Sequence, residues 1–362
     1  MNMDLSPKFP ATFTETEAGV YYHWAAADSQ VLGEAKVAAG KLVLRPQGFV
    51  LPHYADCSKV GYVLEGKCGV ALTVPGINTK ENMGYIGVKK GDVLPIPCGS
   101  VSSWYNYGDS DVVIIFMADA TKAYVAGEIT YFLLTGQQGH LRAFSPEFIA
   151  KTYQINADKA KNLVGSQKGV LLIKLSEEEA RKIPNPNEEV SNILVHNMDA
   201  SQPDVEVDNG GKLTTIKGTE FPLLEQVLGI DVSRLVLESC ATKAPSYATE
   251  SQVCYIAKGS GEVQIVGTNG KLVLNTKVET GQLFVVPKLF AVVVSADEQG
   301  IELVSIVTST RAAVGEIGGK NSVLKTIPSI LQMSFNVSQE STQHFLQMLK
   351  TCTIIVPAMN LY

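Results

Sequence analysis

The chain has 362 residues, 45% of them hydrophobic, which is more than one ordinary domain needs and enough for two. Its 30 basic and 36 acidic residues give a net charge of −6 with no basic stripe, which disfavours nucleic acid and membrane surfaces as partners. The sequence contains no apolar run of membrane-spanning length and no apolar leader flanked by basic residues. We therefore expect a cytoplasmic protein with six reduced cysteines.

The first part of the chain predicts a body of short strands. Residues 1–30 have an irregular pattern, and from there to about residue 118 β-branched and aromatic residues alternate with turn residues. The predicted strands are 41–45, 60–64, 70–74, 92–96 and 111–116. Many short strands at close spacing are typical of a β-sandwich or β-barrel.

Helices follow this body, and then the pattern starts again. Apolar residues at helical spacing predict helices over 145–166 and 174–182, the second beginning with a capping box. A second strand series runs from about 211 to 310 with a hairpin turn at 268–270, and helical patterns return over 322–350. We predict an N-terminal barrel with helices, a linker with a lead-in segment, and a C-terminal barrel with helices. These parts cover residues 1–182, 183–210 and 211–362.

The two strand-rich parts contain an internal sequence repeat, here called the template. Residues 52–66 and 245–259 are identical at seven of fifteen positions, whereas unrelated sequences match at roughly one position in fifteen. Residues 91–97 likewise correspond to 281–287, each a glycine-led turn into an apolar strand that ends at proline. One copy holds His53 where the other has a serine, so any chemistry has to come from such differences.

Both copies resemble the two motifs of the cupin superfamily. The first motif is matched by Gly48 through Gly66, and the second, a glycine-proline motif, by Gly91 through Asn106. Phrases such as Leu51-Pro-His-Tyr and Phe284-Val-Val-Pro287 are similar to the legumin-type seed globulins of plants. The resemblance implies a mainly β fold of two jelly-roll-like cupin barrels in tandem, each followed by a small helical extension. It also implies a homo-oligomer, commonly a trimer built through the helical extensions, and a dimer is equally allowed.

The resemblance also implies where a metal would lie, but the residues present do not fit one. The four implied ligand positions hold His53, Ala55, Lys59 and Ser102 in the first copy, and Ser246, Ala248, Gln252 and Val292 in the second. Zinc or iron needs about three or more nitrogen, oxygen or sulfur ligands from the protein. One imidazole beside a lysine ammonium is no such set. We therefore predict no metal and no other cofactor, and reject a cupin metalloenzyme.

The first barrel nevertheless gathers polar side chains. Strand alternation places residues of one parity on the inner face. We predict catalytic roles for His53, Lys59 and Ser102, around a ligand pocket lined by Ala55, Gly61 and Trp104. Burial and like charge both disfavour the cationic forms of an imidazole and an amine, so a neutral imidazole is available as a general base. The second barrel lacks a good acid or base and is predicted to be structural.

Three functions remain open from the sequence. The main hypothesis is a protein that binds a small organic molecule in the first barrel and catalyses metal-independent isomerisation or cyclisation. The alternatives are a seed-storage or nutrient-reservoir protein, as the family resemblance implies, and a ligand-binding scaffold without chemistry. In the two alternatives His53 and Trp104 are packing residues, and Lys59 extends its ammonium from the barrel mouth into water.

Overall fold

The structure is a computed structural model, and it describes residues 3–75, 83–188, 191, 194–217, 221, 224, 229–309, 311–326 and 328–358. Within these residues the chain separates into two compact units. One comprises residues 10–28 and 32–199, here called the N-terminal unit, and the other comprises residues 200 onward together with the described residues through Phe9 and residues 29–31, here called the C-terminal unit. The division at residues 199 and 200 falls inside the segment predicted as linker.

The N-terminal unit consists of two antiparallel sheets. Its strands are β1 (Ala11–Thr16), β2 (Gly19–His23), β3 (Val37–Leu44), β4 (Gly48–Ala55), β5 (Ser58–Glu65), β6 (Lys67–Thr73), β7 (Met83–Lys89), β8 (Asp92–Ile96), β9 (Val101–Tyr105), β10 (Val112–Asp119), β11 (Tyr131–Leu133), β12 (Leu172–Lys174) and β13 (His196–Asn197). One sheet has the order β1-β2-β3-β10-β5-β8-β13, and the other β11-β4-β9-β6-β7 with β12 beside β4. Apolar residues of one parity fill the space between the sheets. β8 and β10 are buried along almost their whole length, so their other face is covered as well.

The C-terminal unit repeats this design in one continuous sheet. Its strands are β14 (Val205–Val207), β15 (Gly211–Ile216), β16 (Asp231–Leu237), β17 (Thr242–Ala248), β18 (Gln252–Val266), β19 (Leu272–Glu279), β20 (Leu283–Val286), β21 (Ala291–Val307), β22 (Val314–Glu316) and β23 (Ile355–Val356). The two long strands β18 and β21 pair with each other along most of their length, and a register shift between Gly259 and Gly261 bends the pair. This bend lets one pair of strands serve both layers of the barrel.

Short helices complete both units. They are α1 (Gln30–Ala35), α2 (His140–Ala143), α3 (Pro146–Tyr153), α4 (Ala157–Gly165), α5 (Glu177–Ala180), α6 (Pro328–Phe335) and α7 (Gln339–Thr351), with 3-10 turns at Thr268–Gly270 and Val323–Thr326. The fold class is confirmed: two β-barrels, each followed by a helical extension. No helix among the described residues is long and apolar enough to cross a membrane, and all six cysteines are free.

Several local predictions need correction. The helix predicted over 145–166 is two helices, because Gln154 adopts a left-handed conformation at φ 54° and ends α3. The helix predicted over 174–182 is shorter, since residue 174 belongs to β12, although the capping box at Ser176 is confirmed. The hairpin turn at 268–270 is also confirmed, with Asn269 at φ 60°.

The predicted irregular lead-in is wrong. β1 and β2 form an antiparallel hairpin at the edge of the first sheet, and β2 continues by pairing with β3. Gly19 permits this pairing because its φ is 149° and a Cβ atom there would lie 2.1 Å from the carbonyl oxygen of Val43. The signal was weak because β1 is largely exposed and therefore lacks a clear apolar alternation.

Candidate functional site

The lumen of the N-terminal barrel brings the predicted catalytic residues together. His53 lies on β4, Lys59 on β5 and Ser102 on β9, and His53 and Ser102 are direct cross-strand partners. All three side chains are buried, with His53 5% and Lys59 2% exposed. Lys59 therefore does not extend into water, in contrast to the alternative considered from the sequence. Their catalytic roles stay a prediction.

Hydrogen bonds hold the imidazole in place. The Nδ1 atom of His53 lies 2.9 Å from the carbonyl oxygen of Leu51, so Nδ1 carries the proton and donates it. The Nε2 atom lies 3.5 Å from the hydroxyl of Ser102 and accepts from it. The oxygen of that hydroxyl accepts a hydrogen bond of 3.2 Å from the indole of Trp104. His53 thus presents an unprotonated Nε2 to the lumen, as a general base would.

The lysine amine is surrounded by aromatic rings. Its Nζ atom lies 4.4 Å from the ring centroid of Tyr131 and 5.2 Å from that of Phe116, and it donates a hydrogen bond of 3.4 Å to the Tyr131 hydroxyl. The Tyr131 hydroxyl is in turn 2.5 Å from that of Tyr21. Within the described part of the chain no carboxylate forms an ion pair with this amine, so ring faces and a phenol stabilise its charge.

Burial shifts the proton affinity of both groups. Burial, with a smaller contribution from the charge of Lys59, lowers the pKa of His53 to about 3, so the imidazole is neutral at pH 7. Burial lowers the pKa of Lys59 to about 8, opposed in part by the nearby Cys57 and Asp56. The directions agree with the expectation from the sequence, but the amine still carries most of its proton at pH 7.

The space in this lumen is small. The cavity bordered by His53, Lys59 and Trp104 has a volume of about 20 Å³, and a single water molecule needs about 10 to 15 Å³ on the same measure. Two predicted pocket residues explain the loss of room. The ring of Phe116 fills the space beside Gly61, because it lies 3.1 Å from where a Cβ atom of that residue would be. Tyr131 is the cross-strand partner of Ala55, and its ring borders the cavity.

Sequence reasoning missed the aromatic residues that close this lumen. Tyr21 comes from β2, Phe116 from β10 and Tyr131 from the three-residue strand β11, none of which belongs to the repeated template. The dense aromatic cluster at 21–24 was a signal for the first of them. Tyr131 lies in a segment without a strand-like alternation, so only the tertiary structure places it in the barrel.

The second barrel contains a partly buried lysine that sequence reasoning also missed. Lys243 donates a hydrogen bond of 2.6 Å to the hydroxyl of Ser246, and burial lowers its pKa to about 8. Simple alternation places residues 243 and 246 on opposite faces. A bulge between them, where β17 advances three residues while β21 advances two, brings them to the same face. Pro245 within the strand was the available signal.

The residues at the implied metal positions do not form a metal site. His53 is the only imidazole among them, and the charge of Lys59 opposes a cation beside it. Among the residues that the structure describes, no three histidine, cysteine, aspartate or glutamate side chains are grouped to hold an ion.

Comparison with known proteins agrees with the fold. The cupin family model matches residues 7–161 and 196–343. Cocosin 1 of Cocos nucifera is 26% identical over 92% of this chain and 84% of its own length, and the 11S globulin seed storage protein Ana o 2.0101 of Anacardium occidentale is 26% identical over 92% and 87%. The crystal structure of the coconut allergen cocosin superimposes with a TM-score of 0.88 at 24% identity, covering 99% of both chains. With two barrels on one template and the family model matched across most of the sequence, the chain belongs to the cupin family.

Proposed function

We propose that this protein is a reservoir of the seed-storage type, in which both barrels serve as stable scaffolds. The observation that carries this proposal is the closed lumen of the N-terminal barrel, which has room for about one water molecule. The similarity to seed storage proteins over 92% of the chain supports the same function. A storage protein needs a compact, durable fold and no open active site.

The contacts around His53 support a structural role for it. The imidazole packs edge-to-face against Tyr131 at 5.3 Å between ring centroids, and its Nδ1 atom is bonded to the backbone. Ser102 accepts from Trp104, so its hydroxyl is engaged within the core. These are the contacts of satisfied core residues, which a storage fold requires.

Abundance and turnover test the reservoir function directly. In the tissue that makes this protein, we expect quantitative proteomics to find it among the abundant proteins and to find it degraded when amino acids are in demand. A low and constant amount through both conditions contradicts the proposal. A scaffold protein under the same conditions would be scarce and stable, so the measurement separates the two alternatives.

A second candidate function is metal-independent acid/base chemistry in the N-terminal lumen. It is favoured by one arrangement, the neutral Nε2 atom of His53 facing Ser102 with the amine of Lys59 in the same cavity. It requires the rings of Phe116 and Tyr131 to move apart and admit a small organic substrate. A crystal grown with a panel of small carbonyl compounds tests it: bound density beside His53 supports it, and an unchanged closed lumen argues against it.

Self-association and location complete the proposal. The helical extensions expose large apolar side chains, with Phe148 62% and Met333 75% exposed. Exposed apolar surface of this kind fits a homo-oligomer, and native mass spectrometry distinguishes the trimer from the dimer.

A cytoplasmic location is our proposal as well, and a fluorescent fusion of the full natural protein tests it.

A further inference from the structure

The segment 121–133 supplies the ring that closes the N-terminal lumen. It follows β10, ends in the short strand β11, and places Tyr131 against the cavity that His53 and Lys59 border. β11 has three residues and lies at the edge of its sheet, where it is paired with β4. Ahead of it, Tyr124 is 81% exposed. A short edge strand behind an exposed loop has few backbone and packing contacts, and such a segment can open locally.

One buried carboxylate attaches this segment to the barrel. Asp56 comes directly after β4 and is 8% exposed. One of its oxygens accepts the backbone N–H of Tyr124 at 2.9 Å, and the other accepts that of Thr130 at 3.0 Å. Its own backbone N–H donates to the carbonyl of Thr130 at 3.2 Å. Hydrogen bonds to a carboxylate are stronger than those between neutral groups, so Asp56 holds both ends of the loop that precedes Tyr131.

Inside the lumen, the side chain of Tyr131 makes the contacts that a bound phenol would make. Its hydroxyl lies 2.5 Å from that of Tyr21 and accepts a hydrogen bond of 3.4 Å from Lys59. The centroid of its ring lies 4.4 Å from the Nζ atom of Lys59, and the imidazole of His53 packs on it edge-to-face. These three partners belong to β2, β5 and β4, and none of them moves with β11. The lumen is therefore shaped and charged for an aromatic ring that carries one hydroxyl.

Withdrawal of this ring would leave room for a guest of the same size. The lumen now has a free volume of about 20 Å³, whereas a cavity of about 150 Å³ accommodates a benzene ring. Withdrawal also takes from Lys59 its hydrogen-bond acceptor and the nearer of its two ring contacts, leaving the ring of Phe116 at 5.2 Å. A buried ammonium without these partners is costly, so a guest that restores them is favoured over an empty lumen.

We propose that the N-terminal barrel binds a small phenol, which takes the place of Tyr131 when the segment 121–133 moves away from Asp56. The exchange replaces one phenol by another, so Lys59 and Tyr21 keep equivalent contacts before and after it. The proposal shares its lumen with the second candidate function but needs no turnover, so a binding measurement tests it by itself. A reservoir protein can bind such a guest as well, and its abundance is a separate measurement.

Hydrogen exchange of the Asp56→Asn variant tests whether Asp56 holds the segment closed. An asparagine keeps one acceptor oxygen, so one of the two side-chain bonds is lost. We expect exchange over residues 121–133 to become at least about tenfold faster while β8 and β10 keep their rates. Asp119→Asn is the matched control, because Asp119 accepts only a local bond of 2.9 Å from the N–H of Thr121, and it should leave the rest of the segment unchanged. Unchanged rates in Asp56→Asn, or equal acceleration in β8 or in the control, overturn the proposal.

Titration calorimetry of the full chain with p-cresol, the analogue of a tyrosine side chain, tests the site itself. We expect saturable binding to the wild type with a Kd at or below about 10 mM. Asp56→Asn should bind at least about threefold more tightly, because its open state is more populated. Toluene lacks the hydroxyl and should bind at least about tenfold more weakly than p-cresol, and Lys59→Met should reduce this difference at least about threefold. Absence of binding by the folded wild type, or equal binding of toluene, overturns the proposal.

Tyr131→Ala distinguishes displacement of the internal ring from binding elsewhere on the protein. This variant has no ring to displace, so p-cresol should bind to it at least about tenfold more tightly than to the wild type. The ligand should also raise its melting temperature more. Equal affinity for the two proteins places the ligand outside the lumen and overturns the proposal. If circular dichroism shows that Tyr131→Ala is unfolded, the Kd of Asp56→Asn decides instead, and a value equal to that of the wild type overturns the proposal.

Discussion

The interiors of the two barrels come from one template, yet they differ in what they bury. The N-terminal lumen holds His53, Lys59 and a set of aromatic rings, whereas the C-terminal lumen holds Lys243 with Ser246 and Cys254. A lysine thus occurs in each interior, buried in the first and partly buried in the second, but not at matching positions. On the shared template Lys59 corresponds to Gln252, and Lys243 corresponds to Val50.

The two copies therefore share the barrel fold but not the residues in its interior. A buried amine is costly without a partner, and the two barrels reduce that cost in different ways. The first surrounds the amine with the rings of Tyr131 and Phe116, and the second offers it a serine hydroxyl at 2.6 Å. The free energy of unfolding, measured as a function of pH and in single variants, tests how far each arrangement lowers the cost of the buried groups.

The largest expected effect comes from acid. The pKa of His53 is about 3 in the folded chain against an ordinary 6.5, so its contribution to stability is fully present above pH 6.5 and is lost as the pH falls toward 3. The unfolded chain binds the proton first, and we expect a loss of about 3 kcal/mol by pH 4 and about 5 kcal/mol in full. Urea unfolding at pH 7, 5 and 4 measures it, and the His53→Asn variant should lose less stability over the same interval. Equal pH slopes in both proteins contradict the prediction.

Replacement of Lys59 by methionine should stabilise the protein more than replacement of Lys243. Folding at pH 7 has to bury a protonated Lys59 whose pKa is lowered to about 8, at a cost of about 3 kcal/mol, and part of this is returned by contact with the rings. We expect Lys59→Met to raise the free energy of unfolding by about 2 kcal/mol, as measured by urea unfolding at pH 7. Lys243→Met should gain less, because it leaves the Ser246 hydroxyl without its donor.

The pH dependence of the wild type gives an internal check on this pair. Between pH 8 and 10.5 the folded chain releases the lysine proton before the unfolded chain does, so each lysine contributes a rise in stability with pH. Buried thiols such as Cys68, whose pKa burial raises, contribute a fall over the same interval, and the variants separate the two. Each Lys→Met variant should remove its own share of this rise, measured by urea unfolding at pH 7.5 and 10. A variant that keeps the full rise shows that its lysine is not the group responsible.

The smallest expected effect compares the two serines. Ser246→Ala removes the oxygen that accepts from a charged amine, and we expect a loss of about 2 kcal/mol. Ser102→Ala removes an acceptor of the Trp104 indole at 3.2 Å, a neutral donor, and should cost about 1 kcal/mol. Thermal melting of both variants checks the order. A larger loss for Ser102→Ala would mean that the bond between Lys243 and Ser246 is not the stronger of the two.

Much of the site could be predicted from strand alternation. His53, Lys59 and Ser102 face the same lumen as predicted. The register shift on β4 lies between Val50 and His53, so it comes before the positions that were compared on that strand. Lys243 was not predicted to face the interior, because a bulge lies between it and Ser246. The extra residue in a bulge reverses the alternation of side chains between the two faces of the strand. The space expected beside Ala55 and Gly61 was misjudged for another reason: small residues leave room only if no neighbour fills it, and Tyr131 and Phe116 do.

The duplicated β fold follows from the sequence alone, because the repeated template carries the turn glycines and apolar strands that local chain geometry requires. The sequence also determined which polar residues could share the first lumen, since side-chain direction in a strand is a local property. Whether that lumen is open depends on how distant parts of the chain pack together. Residues far apart in the chain, Tyr21, Phe116 and Tyr131, meet there, and close packing of distant side chains leaves no trace in local periodicity.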